Sequence, residues 1–394
     1  PDAAKIFNGD LNAETILINL TAYTQKPLVK GDTLIFFDEI QECPSARTAI
    51  KFLVDDGQFD YIESGSLLGV RYKEVKSYPV GYEENYRMYP LDFEEFATAN
   101  GIQPQTIEYL KKCYDNKETV TEAVHQSMLK LFQYYIIVGG MPAVVQKFVD
   151  TKDIGEVLKI QKDILDLYRQ DISKYSNNKE KIKSIFDLIP AQLNDRNRRF
   201  TLSDIKNSAR MLRYETSFNW LADAGVALPC YNITEPVLPL ELNLQNNLFK
   251  LFLCDTGLLC AASMGNIQFD ILSGDLSVNM GSILENVFAQ ELVSNGFLLR
   301  YFNKKNIGEI DFIVQKGKSA VPIEIKSGND YTKHKALDNL ITKQSWNINS
   351  GIVFCKGNLE IENGITYYPW YMSMFFKQET LPEHLKVNVD IVNI

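Results

Sequence analysis

Two sets of acidic side chains in this sequence are spaced for work on a metal-bound water or phosphate. Near the C-terminus, Glu309-Ile310-Asp311 is followed, thirteen positions after Asp311, by Glu324-Ile325-Lys326. The stretches Gly308 to Gln315 and Ala320 to Ser327 both alternate with period two, and Lys316-Gly-Lys-Ser319 between them reads as a tight loop. A symmetric hairpin pairs 315 with 320, hence 311 with 324 and 309 with 326. One face then carries Ile310, Phe312, Val314, Val321, Ile323 and Ile325, and the other Glu309, Asp311, Glu324 and Lys326. Opposed carboxylates repel unless they share a divalent cation or one is protonated. The plainer reading of the same pattern pairs Lys326 with Glu309 and leaves the other charges in water.

The second set is Asp38-Glu39, which ends the apolar run Thr33-Leu-Ile-Phe-Phe-Asp-Glu-Ile40. The run reads as a strand buried on both faces that delivers its acids at the C-terminal edge, like a Walker B strand. There an Asp holds the water shell of Mg²⁺ and the adjacent Glu polarises the attacking water. The competing reading is a buried strand that ends in a helix-capping acid pair. A phosphate-cradling G-x-x-x-x-G-K-[ST] is needed as the partner motif. Gly317-Lys318-Ser319 is the sole Gly-Lys-Ser, with Phe312 where the first glycine is required, and it falls in the hairpin turn. The phosphate loop is therefore expected before Pro1, leaving half an ATP site here and poor ATP binding by the fragment alone.

The elements that must position these residues read as several domains. At 394 residues and 45% hydrophobic content the chain can bury more than one core. Its net charge of -9 excludes a protein that coats nucleic acid indiscriminately, so any DNA binding must come from a local patch. The six cysteines form no C-x-x-C pair and have no histidine at zinc spacing, which reads as reduced thiols in a cytoplasmic protein. No apolar run is long enough for a bilayer, so no membrane partner is expected. His125, His334 and His384 are isolated and build no triad.

Phe59 to Ser66 reads as a parallel neighbour of the Asp38 strand, with Pro44 to Asp55 as the crossover helix carrying Ala46, Ala49, Ile50, Leu53 and Val54. Residues 107–173 have helical spacing interrupted by Gly139-Gly-Met-Pro142. Residues 179–232 give three helical stretches, the last closed by Gly225 as C-cap. With the extended segments Val226 to Ile233 and Asn247 to Cys254 they suggest a winged helix. Its basic residues Arg196, Arg198, Arg199, Lys206, Arg210 and Arg213 are candidates for phosphate contacts. Phe218 and Trp220 read as core. The last region adds a helix over 282–294, the hairpin, a helix over 335–343 and a strand over 351–355. The boundaries follow as 1–103, a partial ATPase core; 104–178, a helical lid or connector; 179–254, winged-helix-like; and 255–394, a second α/β domain.

Leu34-Ile-Phe-Phe-Asp-Glu-Ile-Gln41, Ser64-Gly-Ser-Leu-Leu-Gly69, Tyr89-Pro-Leu-Asp-Phe-Glu-Glu-Phe96, Gly139-Gly-Met-Pro142, Glu285-Asn286, Glu309-Ile-Asp311 and Glu324-Ile-Lys326 stand in the order found in a large family of prokaryotic AAA-type ATPases. Nearly the whole chain resembles that family, whose C-terminal domain of unknown function looks like a winged helix followed by a PD-(D/E)XK nuclease-like fold. The resemblance implies an α/β multidomain chain with a P-loop-type parallel sheet. It implies Asp38 on Mg²⁺ through water, Glu39 as catalytic base, and Ser64 or Ser66 at the sensor position, with Arg71 and Arg87 as charge sensors. Glu63 departs from the pattern, standing where a small or hydroxyl residue is expected. In the C-terminal domain the resemblance implies a second Mg²⁺ or Mn²⁺ held by Glu285, Asp311 and Glu324, with Lys326 steadying charge on phosphate. The expected function is an ATP-binding ATPase fragment coupled to a DNA-binding, nuclease-like module. The alternatives are an ATP-switched regulator that binds DNA or protein without cutting, and a Mg²⁺-dependent nuclease. DNA, a protein partner or a second copy are the expected partners.

Overall fold

The computed structural model describes residues 3–65, 81–175, 178–194, 199–200, 214–263 and 280–379. The chain divides into two compact units, residues 1–88 with 218–226, and residues 89–217 with 227–394.

In the first unit a parallel pair, β1 (Leu34–Phe37) and β2 (Asp60–Glu63), is joined by helix α2 (Pro44–Asp56), and α1 (Ala13–Thr24) precedes them. Asn12 caps α1 by accepting the Thr15 amide at 2.8 Å. Pro44 opens α2, and Gly57, at φ +64°, closes it in the left-handed region that a glycine adopts without strain. The helical spacing of the crossover is realised: Ala46, Ala49, Ile50 and Leu53 pack with Ile16, Leu20, Ile35 and Ile40. The expectation that β1 is buried on both faces is not. Ile35 is covered, whereas Leu34 and Phe36 are 55% and 56% exposed, with Ile62 of β2 beside them on the same face. A continuous apolar run cannot tell a strand covered on both sides from one covered on a single side.

The second unit begins with helices α3 (Phe93–Ala99), α4 (Pro104–Asn116), α5 (Glu122–Val138), α6 (Pro142–Thr151), α7 (Ile154–Tyr175) and α8 (Lys179–Asn194). Next in the chain comes helix α9 (Glu215–Asp223), whose residues from Phe218 onward group with the first unit, as does Gly225, which takes φ +70° as the C-cap reading requires. Phe218 is buried, in line with a core role. Strands β3 (Ala227–Ile233) and β4 (Leu244–Leu253) pair antiparallel, and β3 pairs parallel on its other edge with β5 (Arg300–Lys304). With β6 (Gly308–Ile310) they form a sheet of order β4-β3-β5-β6. A second sheet has order β10-β11-β9-β8-β7, from β7 (Phe312–Lys316), β8 (Ser319–Ile325), β9 (Gly351–Cys355), β10 (Glu360–Glu362) and β11 (Ile365–Pro369). Helices α10 (Thr256–Ser263), α11 (Met280–Ser294) and α12 (Lys335–Ile341) complete the described α-helices.

The strings Tyr89 to Phe96, Gly139 to Pro142 and Glu285-Asn286 meet in one polar clasp. Leu91 and Gly140 join backbone to backbone at 2.7 Å. Asp92 caps α3 through a reciprocal pair with Glu95. Glu291 of α11, 1% exposed, accepts from the Phe93 amide, the Tyr135 hydroxyl and the Ser373 hydroxyl at 2.9, 2.8 and 3.1 Å. Asp255, fully buried, accepts from the Gly140 amide at 2.6 Å and the Leu258 amide at 2.8 Å. Asn286 bonds both the amide and the carbonyl of Leu253. Glu291, Asp255 and Asn286 lie in the interior, where leaving a polar group unpaired would cost about 1–3 kcal/mol, so their side chains satisfy backbone groups that helix and sheet leave open, whereas the Asp92–Glu95 cap is exposed.

Candidate functional sites

In the first unit, the register places Phe37 beside Glu63, so Asp38 and Ser64 emerge together at the strand tips. The Ser64 hydroxyl donates to Asp38 Oδ1 at 2.5 Å. The tips are laced by two backbone bonds, Ser64 N–H to Phe37 carbonyl at 2.9 Å and Ile40 N–H to Ser64 carbonyl at 3.0 Å. Glu39 turns away from the strand at φ 53°, a left-handed conformation that is costly for a non-glycine residue, and stands exposed at the head of a short 3₁₀ turn. Asp38 is exposed as well, so its second oxygen can meet a hydrated cation.

Glu63, the departure from the family pattern, points away from this tip into an ion-pair group. Its carboxylate accepts from the buried Arg47 of α2 at 2.7 Å, and Arg47 also pairs with Glu83. Burial pushes the Glu63 carboxyl up to about 7, against the pull of Arg47, and Glu83 adds to the rise. Sequence reasoning did not single out Arg47. Its signal is an arginine among the apolar positions of α2. Arg87 is exposed, and Ser66 and Arg71 lie outside the described residues.

In the second unit the hairpin turns at Lys316-Gly-Lys-Ser319 with Gln315 opposite Ala320, as the alternation requires. Gly317 sits at φ +56° in that turn, so the Gly-Lys-Ser string is a hairpin connection. The register fails at Asp311, where the chain bends between β6 and β7. Glu309 faces Asn303 of β5 and not Lys326. The bend also shifts the phase: Ile310 packs in one cluster with Ile313, where strict alternation would have grouped it with Phe312 and Val314. Both faces of β7 are buried, with Phe312, Ile313 and Val314 all fully covered.

The acidic residues are engaged as follows. Asp311 reaches across to β8 and accepts the Ile325 amide at 2.8 Å. Lys326 pairs with Glu324, two residues away on the same face, at 2.8 Å, and the Trp370 indole donates to the Lys326 carbonyl at 3.0 Å. Burial and the Asp311 carboxylate push the Glu324 carboxyl up to about 7, with Lys326 and Lys250 pulling it back. Glu285 of α11, 2% exposed, contacts Lys250 of β4 at 3.1 Å, and Glu309 contacts the same ammonium at 2.7 Å. Lys250 has no exposed surface and lies over the Tyr301 ring, 5.1 Å from its centroid. Lys250 is the site residue that sequence reasoning missed. A lone lysine in Asn247-Leu-Phe-Lys-Leu-Phe-Leu-Cys254 is the signal, since a lysine is almost never fully buried unless paired.

The three carboxylates expected to share a metal, Glu285, Asp311 and Glu324, each have another partner in this arrangement. Glu285 is drawn onto an ammonium, Glu324 onto Lys326, and Asp311 onto a backbone amide. Among the described residues, no three His, Cys, Asp or Glu side chains are disposed to hold a metal ion. Beside Trp370 a cavity of about 390 Å³ is lined by Gln126, Leu129, Lys130, Gln133 and Lys356. Of the basic candidates for DNA, Arg199 lies against Tyr301, while Arg196, Arg198, Lys206, Arg210 and Arg213 fall outside the described residues. All six cysteines are free thiols. No helix among the described residues is long and apolar enough to cross a membrane.

Comparison with known proteins divides the chain in three. Residues 3–97 match the family model of an AAA domain, residues 129–268 a domain of unknown function (DUF8612), and residues 280–372 another (DUF4143). No curated protein matches. Among solved structures, the Walker-type ATPase PABY2304 of Pyrococcus abyssi aligns at 13% identity and a TM-score of 0.36, over 63% of this chain and 66% of that one. The chain thus spans slightly less than two thirds of that protein, and the likeness is too loose to bear on the fold. The N-terminal region, with its paired Asp38 and Ser64, is AAA-like, and the C-terminal region corresponds to a domain whose function its family description leaves open.

Proposed function

We propose that the chain carries the magnesium- and water-handling residues of an AAA-type ATPase, coupled to a nuclease-like C-terminal module that binds DNA or a protein partner without cutting. The observation that carries the ATPase reading is the hydrogen bond from Ser64 to Asp38 across two parallel strand tips. Asp38 would hold Mg²⁺ through its water shell, Ser64 would orient that carboxylate, and the exposed Glu39 would polarise the attacking water. The magnesium ion supplies charge neutralisation on the phosphates. The protein is expected to hydrolyse ATP and to lose at least about a hundredfold in rate on Glu39→Gln with nucleotide binding retained. Unchanged hydrolysis in that variant would defeat the assignment of Glu39.

The non-cutting reading is favoured over a Mg²⁺-dependent nuclease by the engagement of Glu285, Glu324 and Asp311 with other partners. Lys130 and Lys356 at the cavity beside Trp370 offer positive charge suited to a phosphate backbone. In this reading ATP binding acts as the switch and the C-terminal module as the contact surface.

A further inference from the structure

The structure assigns Lys250 as a resident cation of the C-terminal sheet: its ammonium stands between Glu285 and Glu309 and takes the place that a divalent metal would need there. The inference deepens the non-cutting reading of the C-terminal module and rests on that reading for its context.

Three observations lead to it. Lys250 projects from the middle of β4, a strand whose last five positions, Phe249 to Leu253, are all buried, so its charge has no route to solvent. Two carboxylates from different elements converge on it, Glu285 from α11 at 3.1 Å and Glu309 from β6 at 2.7 Å. The Tyr301 ring lies on a further side, 5.1 Å away at its centroid, as a π-face does for a desolvated cation. The buried Glu285 carboxylate could not remain here without a cation, because burying an isolated charge costs far more than burying a paired one, and the partly exposed Glu309 adds a second negative charge beside it. A lysine supplies that charge permanently, with no exchange and no open coordination position. A divalent ion bound here would face an ammonium between the same acids, and like charges at that range exclude each other. The lysine thereby also removes Glu285 from the set that Asp311 and Glu324 would need for hydrolysis.

Removing the ammonium should turn the position into a metal site. The test is a Mn²⁺ titration of the whole chain followed by electron paramagnetic resonance, with thermal unfolding as a second readout. Wild type is expected to bind no Mn²⁺ at this site, and its Tm should not respond to the ion. Lys250→Ala leaves two carboxylates around a space vacated by the side chain. It is expected to bind one Mn²⁺ at least about tenfold more tightly than wild type, to gain Tm with Mn²⁺, and to lose both effects in Lys250→Ala with Glu285→Gln. Stoichiometric Mn²⁺ binding by wild type that Asp311→Asn abolishes would overturn the inference, and so would a folded Lys250→Ala that binds no better than wild type. Where Lys250→Ala does not fold, Lys250→Met with Glu285→Gln decides. That pair keeps the volume and removes one charge of each sign, leaving Glu309, which is partly exposed, to be solvated. It should fold, and loss of the fold there would also overturn the assignment. DNA retention in a gel shift is read on the same samples, so a module that binds no DNA is distinguished from a site that binds metal.

Discussion

Glu291 shows how one side chain can set the acid–base behaviour of an interior. Three donors favour its anion, yet burial dominates and pushes its carboxyl up to about 8, with the Asp92 carboxylate adding to the rise. A carboxyl raised from 4.5 to about 8 on folding binds more protons in the folded chain than in the unfolded one throughout that window. Stability is therefore fully present below about 4.5 and falls as pH rises through it, by up to about 1.4 kcal/mol per pH unit for one proton. Glu291→Gln is expected to flatten that slope, measured as the denaturation midpoint between pH 5 and pH 8. An unchanged slope would mean that the folded carboxyl titrates where a free one does. Glu324, raised to about 7, acts in the same direction over a narrower window, with Asp311 as its like-charged neighbour.

At the scale of elements, the glycines of the clasp are fixed by approach distance. A Cβ on Gly140 would stand 2.1 Å from the Leu91 carbonyl oxygen, and one on Gly257 would stand 2.2 Å from the Val138 carbonyl oxygen. Both obstacles are backbone and cannot swing aside. Gly140→Ala is expected to cost about 1–3 kcal/mol, or more if the Leu91 pairing is lost. Gly225→Ala meets no atom within 4 Å and carries only the cost of its left-handed backbone. Urea denaturation of the two variants should rank them in that order, and equal midpoints would contradict the packing argument. These elements also show what could be read from sequence. The β1-α2-β2 crossover, the 315 to 320 register and the strand over 351–355 follow from local periodicity, and each is present. The phase shift at Asp311 and the pairing of Glu309 with Asn303 depend on β5, which alternation within a hairpin cannot sense. The buried pair of Lys250 and Glu285 joins residues 35 positions apart, so no local pattern announces it. The role of Glu63 likewise waits on Arg47 from the preceding helix.

On the scale of the whole molecule, the two acidic sets belong to different compact units and should respond separately to substitution. Supercoiled duplex DNA incubated with the protein and Mg²⁺ or Mn²⁺ is expected to stay intact, and Asp311→Ala and Lys326→Ala should behave as wild type does. Metal-dependent nicking that either substitution abolishes would restore the nuclease reading. Glu39→Gln, in turn, is expected to leave the Mn²⁺ response of Lys250→Ala untouched, since the acids of the two sites share no element.

The clasp has a further use as a built-in reporter of how α11 docks. The amides of Phe93, Gly140, Leu253 and Thr256 are held by the side chains of Glu291, Asp255, Asn286 and Gln290. Their exchange with deuterated solvent therefore follows the seating of those side chains, not the opening of a ladder between strands. Three of the four retaining groups belong to α11, so uptake at Phe93, Leu253 and Thr256 should rise together when that helix loosens, while amides inside α5 keep their protons.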